Sequence, residues 1–227
     1  MPTPSYQITW DDTSKRLYET GTDHGVLYPQ AADGTYPKGV AWNGLTAVTE
    51  SPTGAEPTDL WADNIKYLTL RSAEQFGFTV EAYTYPDEFA ECNGELELAD
   101  GLVVGQQARK AFGLCYRSVV GNDVALNDYG YKLHIIYGAT CSPSEKAYTT
   151  INDSPEAITF SWESTCTPIN VASIGKPVYQ LTIDSTKADA TKLASLEQIL
   201  YGTPAAGQTA AVDARLPLPE EVIDILD

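Results

Sequence analysis

The strictest constraint on this chain is a two-residue period. Ile158, Phe160 and Trp162 alternate with Thr159, Ser161 and Glu163, and Tyr179, Leu181 and Ile183 alternate with Gln180, Thr182 and Asp184. Successive side chains of a strand point to opposite faces, so each segment needs a sheet with one dry and one wet side. Phe78, Val80 and Ala82 against Thr79 and Glu81 repeat the pattern. Such a chain is committed to a mainly β fold.

Around these segments the sequence predicts further elements. Lys66–Arg71 reads as a strand joined by the short Ser72-Ala73-Glu74-Gln75 link to Gly77–Tyr83, so the two are expected to be antiparallel neighbours. Pro86 to Gly94 reads as a short helix, with Asp87 and Glu88 in the first turn and Gly94 as a left-handed cap. Glu95–Leu98 alternates again, and residues 112–137 read as a hairpin with a long tip at Gly121–Gly130. The longer helix runs from about Ala188 to Tyr201, where Leu193, Leu196 and Leu200 form a stripe and Gly202 ends it.

Three regions do not read as core. Met1 to about Gln7 is a Pro-containing arm, and residues 29–58 form a long excursion rich in Gly, Pro, Thr and Ala. Within it Val40-Ala41-Trp42 and Leu45–Thr49 are expected to pair across Asn43-Gly44. Thr203 to Asp227 is a final arm with Pro204, Pro217 and Pro219. Without a linker or an internal repeat, residues 1–227 are expected to form a single domain.

Composition narrows function mainly by exclusion. Lys and Arg number 14 against 31 Asp and Glu, a formal charge of −17. Nucleic-acid binding depends on clustered basic residues that neutralise phosphates, and an anionic membrane surface repels an acidic chain. The four cysteines, Cys92, Cys115, Cys141 and Cys166, lack zinc-site spacing, so reduced cytosolic thiols are expected. The N-terminal residues carry no basic region or apolar run of a signal peptide, and no window approaches a membrane span.

A search for chemistry finds no catalytic signature. His24 lies in a turn and His134 inside a strand, and neither accompanies a Gly-x-Ser-x-Gly motif. Neither Walker A nor dinucleotide fingerprint nor EF-hand loop is present. The expectation is a non-enzyme without cofactor or metal.

Two segments carry a family resemblance. One is Trp10-Asp11-Asp12 leading into Arg16–Gly21 and Gly25–Pro29. The other is Gly77–Tyr83, running on through Tyr85-Pro86-Asp87-Glu88-Phe89 to Cys92-Asn93-Gly94. Together with Leu193–Thr203, these resemble the major tail tube proteins of long-tailed, siphovirus-type bacteriophages. The resemblance implies a sandwich or partial barrel with a flanking helix, whose inner sheets join in hexameric rings. The rings stack into a tube through which phage DNA is ejected without specific binding. It further implies a virion tail location after synthesis in the host cytoplasm, and tape-measure, tail terminator and distal tail proteins as partners.

Under that reading the wet residues Thr79, Glu81, Thr159, Ser161, Glu163, Thr182 and Asp184 are candidates for the lumen wall. Trp42, Asn43 and Leu45 in the 29–58 loop, with Val222, Ile223 and Ile225 in the 203–227 arm, are candidates for contact between rings or subunits; Trp42 is an exposed anchor if the loop reaches a neighbour and a core residue if it folds back. Two other readings share the β-rich, Tyr- and Trp-rich character: a virion-associated carbohydrate- or receptor-binding module, and the tube subunit of a contractile injection apparatus.

Overall fold

The structure, a computed structural model, describes residues 8, 10, 12, 15–151, 153, 156–205 and 210–227. The expected arm at 1–7 lies outside the described residues. The chain is mostly β and sandwich-like, with the longer flanking helix and the short helix where the sequence places them.

In chain order, β1 (Leu17–Pro29) leads to β2 (Val40–Ala41) and β3 (Leu45–Glu50). Four strands then extend outward and back: β4 (Thr53–Gly54), β5 (Pro57–Ala62), β6 (Ile65–Arg71) and β7 (Glu74–Gln75). Next come β8 (Gly77–Ala82), α1 (Phe89–Cys92), β9 (Leu96–Ala99) and β10 (Leu102–Val104). The long pair β11 (Phe112–Asn122) and β12 (Leu126–Cys141) precedes β13 (Phe160–Cys166), β14 (Ile169–Val171), β15 (Lys176–Val178) and β16 (Gln180–Asp184). The chain closes with α2 (Ala190–Tyr201) and α3 (Pro219–Leu226).

The main sheet has the order β2-β1-β11-β12-β13-β8-β3, with β16 also on β12. The long strand β12 changes partner along its length: Lys132–Ile136 pair with β16, and Ala139–Cys141 with β13. The change occurs at Gly138, whose φ is 61°. Ile136 and Ala139 belong to one core cluster and Tyr137 to the other, so alternation slips by one residue there. A local slip of this kind bends a strand and lets one sheet fold over itself.

Two cores result. The first lies between the folded halves and unites Leu27, Leu114 and Ile136 with Phe78, Val80 and Trp162. Phe89 of α1 plugs its end, edge-on to Phe112 and Trp162. The second lies on the other face of β1, β11, β12 and β16, under α2 and α3. There Tyr28, Cys115, Ile135 and Ile183 meet Leu193, Leu196, Leu200 and Val222.

Helix α2 is fixed at both ends by its own sequence. Asp189 accepts hydrogen bonds from the Thr191 and Lys192 amides, and Gly202 takes φ 75° after the last turn. The Tyr28 hydroxyl, buried, donates to the Leu200 carbonyl at 2.7 Å, satisfying one of the helix's terminal acceptors.

Several expectations need correction. Lys66–Arg71 and Gly77–Ala82 are not paired: β6 pairs with β5, while β8 lies between β3 and β13. The intervening residues carry β7 onward rather than turning. Likewise β2 pairs with β1 and β3 with β8, so Asn43-Gly44 is a crossover between the two halves and not a hairpin turn. The stretch from 29 to 44 folds back onto the body, with Tyr36 1% exposed and bridged to Leu216. The final arm also packs on the body, as α3, opened by Pro219 and by Glu220 and Glu221 in its first turn.

Candidate functional site

The most conspicuous surface is a long β-arm. Three nested antiparallel pairings, β3 with β8, β4 with β7 and β5 with β6, make residues 45–82 one interrupted hairpin. Its turn is Asp63-Asn64, at φ 51° and 62°, the paired left-handed conformation of a tight hairpin turn. Only the base belongs to the main sheet, and β4 to β7 are exposed throughout.

Register divides the arm into two rails. Leu60 faces Leu68 and Thr58 faces Leu70, giving an apolar side. On the other side Asp59 pairs with Lys66 at 2.8 Å and accepts a hydrogen bond from Thr69 at 2.8 Å. Near the tip, Trp61 is 69% and Ile65 62% exposed. Single exposed apolar residues are ordinary, but a cluster on an unsupported two-stranded ribbon is not, because such a ribbon is marginal alone in water.

The same strands carry four of the predicted wet residues. Ala47, Glu81 and Ser161 form one cross-strand row, and Thr49, Thr79 and Glu163 form the next. Phe78, Val80, Ala82 and Trp162 point the other way, into the first core. Thr79 and Glu81 are half-buried, Ser161 and Glu163 exposed. Thr159 is exposed but precedes β13.

Thr182 and Asp184 are not part of that face. They stand opposite His134 and Lys132, on the side of the sheet that faces the first core. There the sheet runs past the sandwich and holds a hydrogen-bonded network. His134 stacks on Tyr116 with ring centroids 4.7 Å apart, and its Nε2 lies 2.9 Å from Ser118 Oγ. Glu50 accepts from the Tyr116 hydroxyl at 2.7 Å and from Gln180. Burial lowers the His134 pKa, against the opposing pull of Glu50 and Glu19.

A serine, a histidine and a carboxylate therefore meet, which no motif announced because they come from β11, β12 and β3. Glu50 Oε1 stands 3.9 Å from His134 Nδ1, outside hydrogen-bond reach, and its acceptor capacity serves Tyr116 and Gln180. The network can orient hydroxyls and hold a neutral imidazole. Among the described residues no group of three or more His, Cys, Asp and Glu is placed to hold a metal ion.

The proposed contact residues fare unevenly. Trp42 is 3% exposed, packs against Phe89 and Trp162, and donates its indole N–H to the Thr84 carbonyl at 3.0 Å. It is a core residue because the 29–44 segment folds inward. Val222 is 1% exposed and, with Ile225, packs on the second core, while Ile223 is half-buried in the same helix. Leu45 leans on the first core and Asn43 is exposed. The free surface lies instead at 51–75, which overlaps the expected loop only at its end.

Comparison with protein-family models gives no match, and a search of curated proteins finds none that matches. Among the described residues no helix is long and apolar enough to cross a membrane.

Proposed function

We propose that this chain is a structural subunit that associates with copies of itself into stacked hexameric rings, the tail tube of a long-tailed bacteriophage. The observation that carries this reading is the arm of residues 45–82. It holds an uncovered apolar rail of Leu60, Leu68 and Leu70 away from the body. A ribbon that cannot cover that rail itself gains by burying it on another molecule.

Two further features support the reading. The arm grows from the strands that carry Thr79, Glu81, Ser161 and Glu163, a face of short polar and acidic residues suited to a water-filled lumen. The formal charge of −17 opposes adhesion of phosphate, with screening over about 8 Å at physiological salt. The sequence phrases that resemble tail tube proteins point to the same assembly, and its partners would then be the tape-measure, tail terminator and distal tail proteins.

Negative-stain electron microscopy over a concentration series, with light scattering alongside, tests the proposal. Hollow tubes or six-membered rings are expected from the intact chain. A variant with residues 53–75 replaced by Asn-Gly is expected to keep its melting temperature and stop assembling. An intact chain that stays monomeric at every concentration and binds a glycan overturns the reading in favour of a receptor-binding module.

A further inference from the structure

We infer that Lys146 and Asn93 form a covalent staple, an isopeptide bond between the lysine amine and the asparagine carboxamide, with Glu95 as its catalytic acid and base. Every group belongs to one chain, so the inference is independent of the assembly proposed above.

The site is built by the end of α1. The Glu95 amide donates to the Ala90 carbonyl at 2.8 Å and the Gly94 amide to the Glu91 carbonyl at 3.3 Å, the paired bonds of a Schellman turn. Gly94 takes φ 77°, and a β-carbon there would fall 2.9 Å from the Gln107 carbonyl oxygen. The left-handed step brings together two side chains on either side of the glycine. Asn93 Nδ2 donates to Glu95 Oε1 at 2.9 Å. Lys146, 51 residues beyond Glu95, donates from Nζ to the same oxygen at 2.6 Å.

The surroundings suit a reaction between them. Asn93 is 8% exposed, and Lys146–Glu95 is the least exposed of the lysine–carboxylate pairs among the described residues. The Tyr85 ring lies 5.4 Å from Lys146 Nζ and stands edge-on to Phe89, Phe160 and Trp162. Lys38–Glu88 and Lys110–Glu91 are similar pairs, but among the described residues neither carboxylate accepts from an asparagine.

Burial lowers the Lys146 pKa, and the hydrogen bond and charge of Glu95 outweigh it, so the resting amine holds its proton. The first step hands that proton to Glu95. The freed Nζ lone pair then attacks Asn93 Cγ, one bond from Nδ2. Glu95 passes the proton to Nδ2 and takes the second proton from Nζ. The Cγ–Nδ2 bond breaks with its electrons on nitrogen, and ammonia leaves, carrying the second proton away as ammonium. One C–N bond forms and one breaks, and nothing is oxidised or reduced. A single carboxylate oxygen thus touches both the nitrogen that must lose protons and the nitrogen that must gain one. Holding both reactants on it makes the step intramolecular.

Residues 142–149 carry neither strand nor helix, so the bond would tie this stretch to the end of α1. The four cysteines are free and provide no such tie.

Intact-mass spectrometry of the purified, denatured full chain tests the inference. The expected mass is that of the sequence less one ammonia, and a tryptic digest is expected to yield a branched peptide joining Asn93 to Lys146. Lys146→Arg, Asn93→Ala and Glu95→Gln are each expected to show their full sequence mass with native circular dichroism. An ion pair with a purely structural role would leave the mass of the original chain unreduced. Full sequence mass in the folded chain after prolonged incubation overturns the inference. So does an ammonia loss that persists in Lys146→Arg, which would mark a cyclised asparagine instead.

Discussion

Gly138 and Thr167 are locked backbone to backbone where β12 changes partner. The Thr167 amide donates to the Gly138 carbonyl at 2.9 Å, and a β-carbon on Gly138 would fall inside van der Waals contact of the Thr167 carbonyl. With φ at 61°, the position suits glycine on both counts. Gly138→Ala is expected to destabilise the fold on the order of 3 kcal/mol, read from chemical denaturation. A cost within error of zero would mean that the strand does not bend there.

Trp42 separates a packing role from an assembly role. Its ring centroid lies 4.6 Å from that of Phe89 and 5.6 Å from that of Trp162. Trp42→Ala is expected to cost about 3–5 kcal/mol of monomer stability, the usual range for a buried aromatic truncated to alanine. A loss of tubes without a loss of monomer stability would reassign it to a contact between subunits.

His134 gives the fold an acid-sensitive point. Burial lowers its pKa from the ordinary 6.5, so the unfolded chain binds this proton more readily than the folded one. The stability it contributes is present above the unfolded value and is lost as pH falls below about 6.5. Thermal melts at pH 7.5 and pH 5 are expected to show a drop that shrinks in His134→Gln. An equal drop in the two proteins would place the sensitivity elsewhere.

Glu163 tests the assignment of the wet face. It is exposed and sits beside Thr79, so Glu163→Lys is expected to change unfolding free energy by less than about 0.5 kcal/mol. If this face lines the tube, preassembled variant tubes are expected to retain short duplex DNA at low salt and release it at high salt, while the original tubes retain none. Equal retention by both would remove the face from the lumen.

Much of the local structure was legible in the residues themselves. The wet row of Thr79, Glu81, Ser161 and Glu163 follows from alternation alone, and α2 from its leucine stripe and Gly202. Thr182 and Asp184 were legible as polar residues on a strand, but not as members of a different face. Two-residue periodicity says that a strand has two sides and is silent on which side meets which neighbour. The Glu50, Ser118 and His134 network was invisible because its members stand far apart in the chain.

The sequence by itself determined strands β6, β8, β13 and β16, the dry side of the last three, and the span of α2 with its glycine end. These depend on neighbours two to four residues away, whose relative geometry the backbone fixes. Only the tertiary structure decided that Trp42 and Val222 are covered, that β6 belongs to a projecting ribbon, and that the wet residues fall on two faces. Those outcomes depend on strand pairing and on the slip at Gly138, where one residue of register exchanges the two sides of a strand.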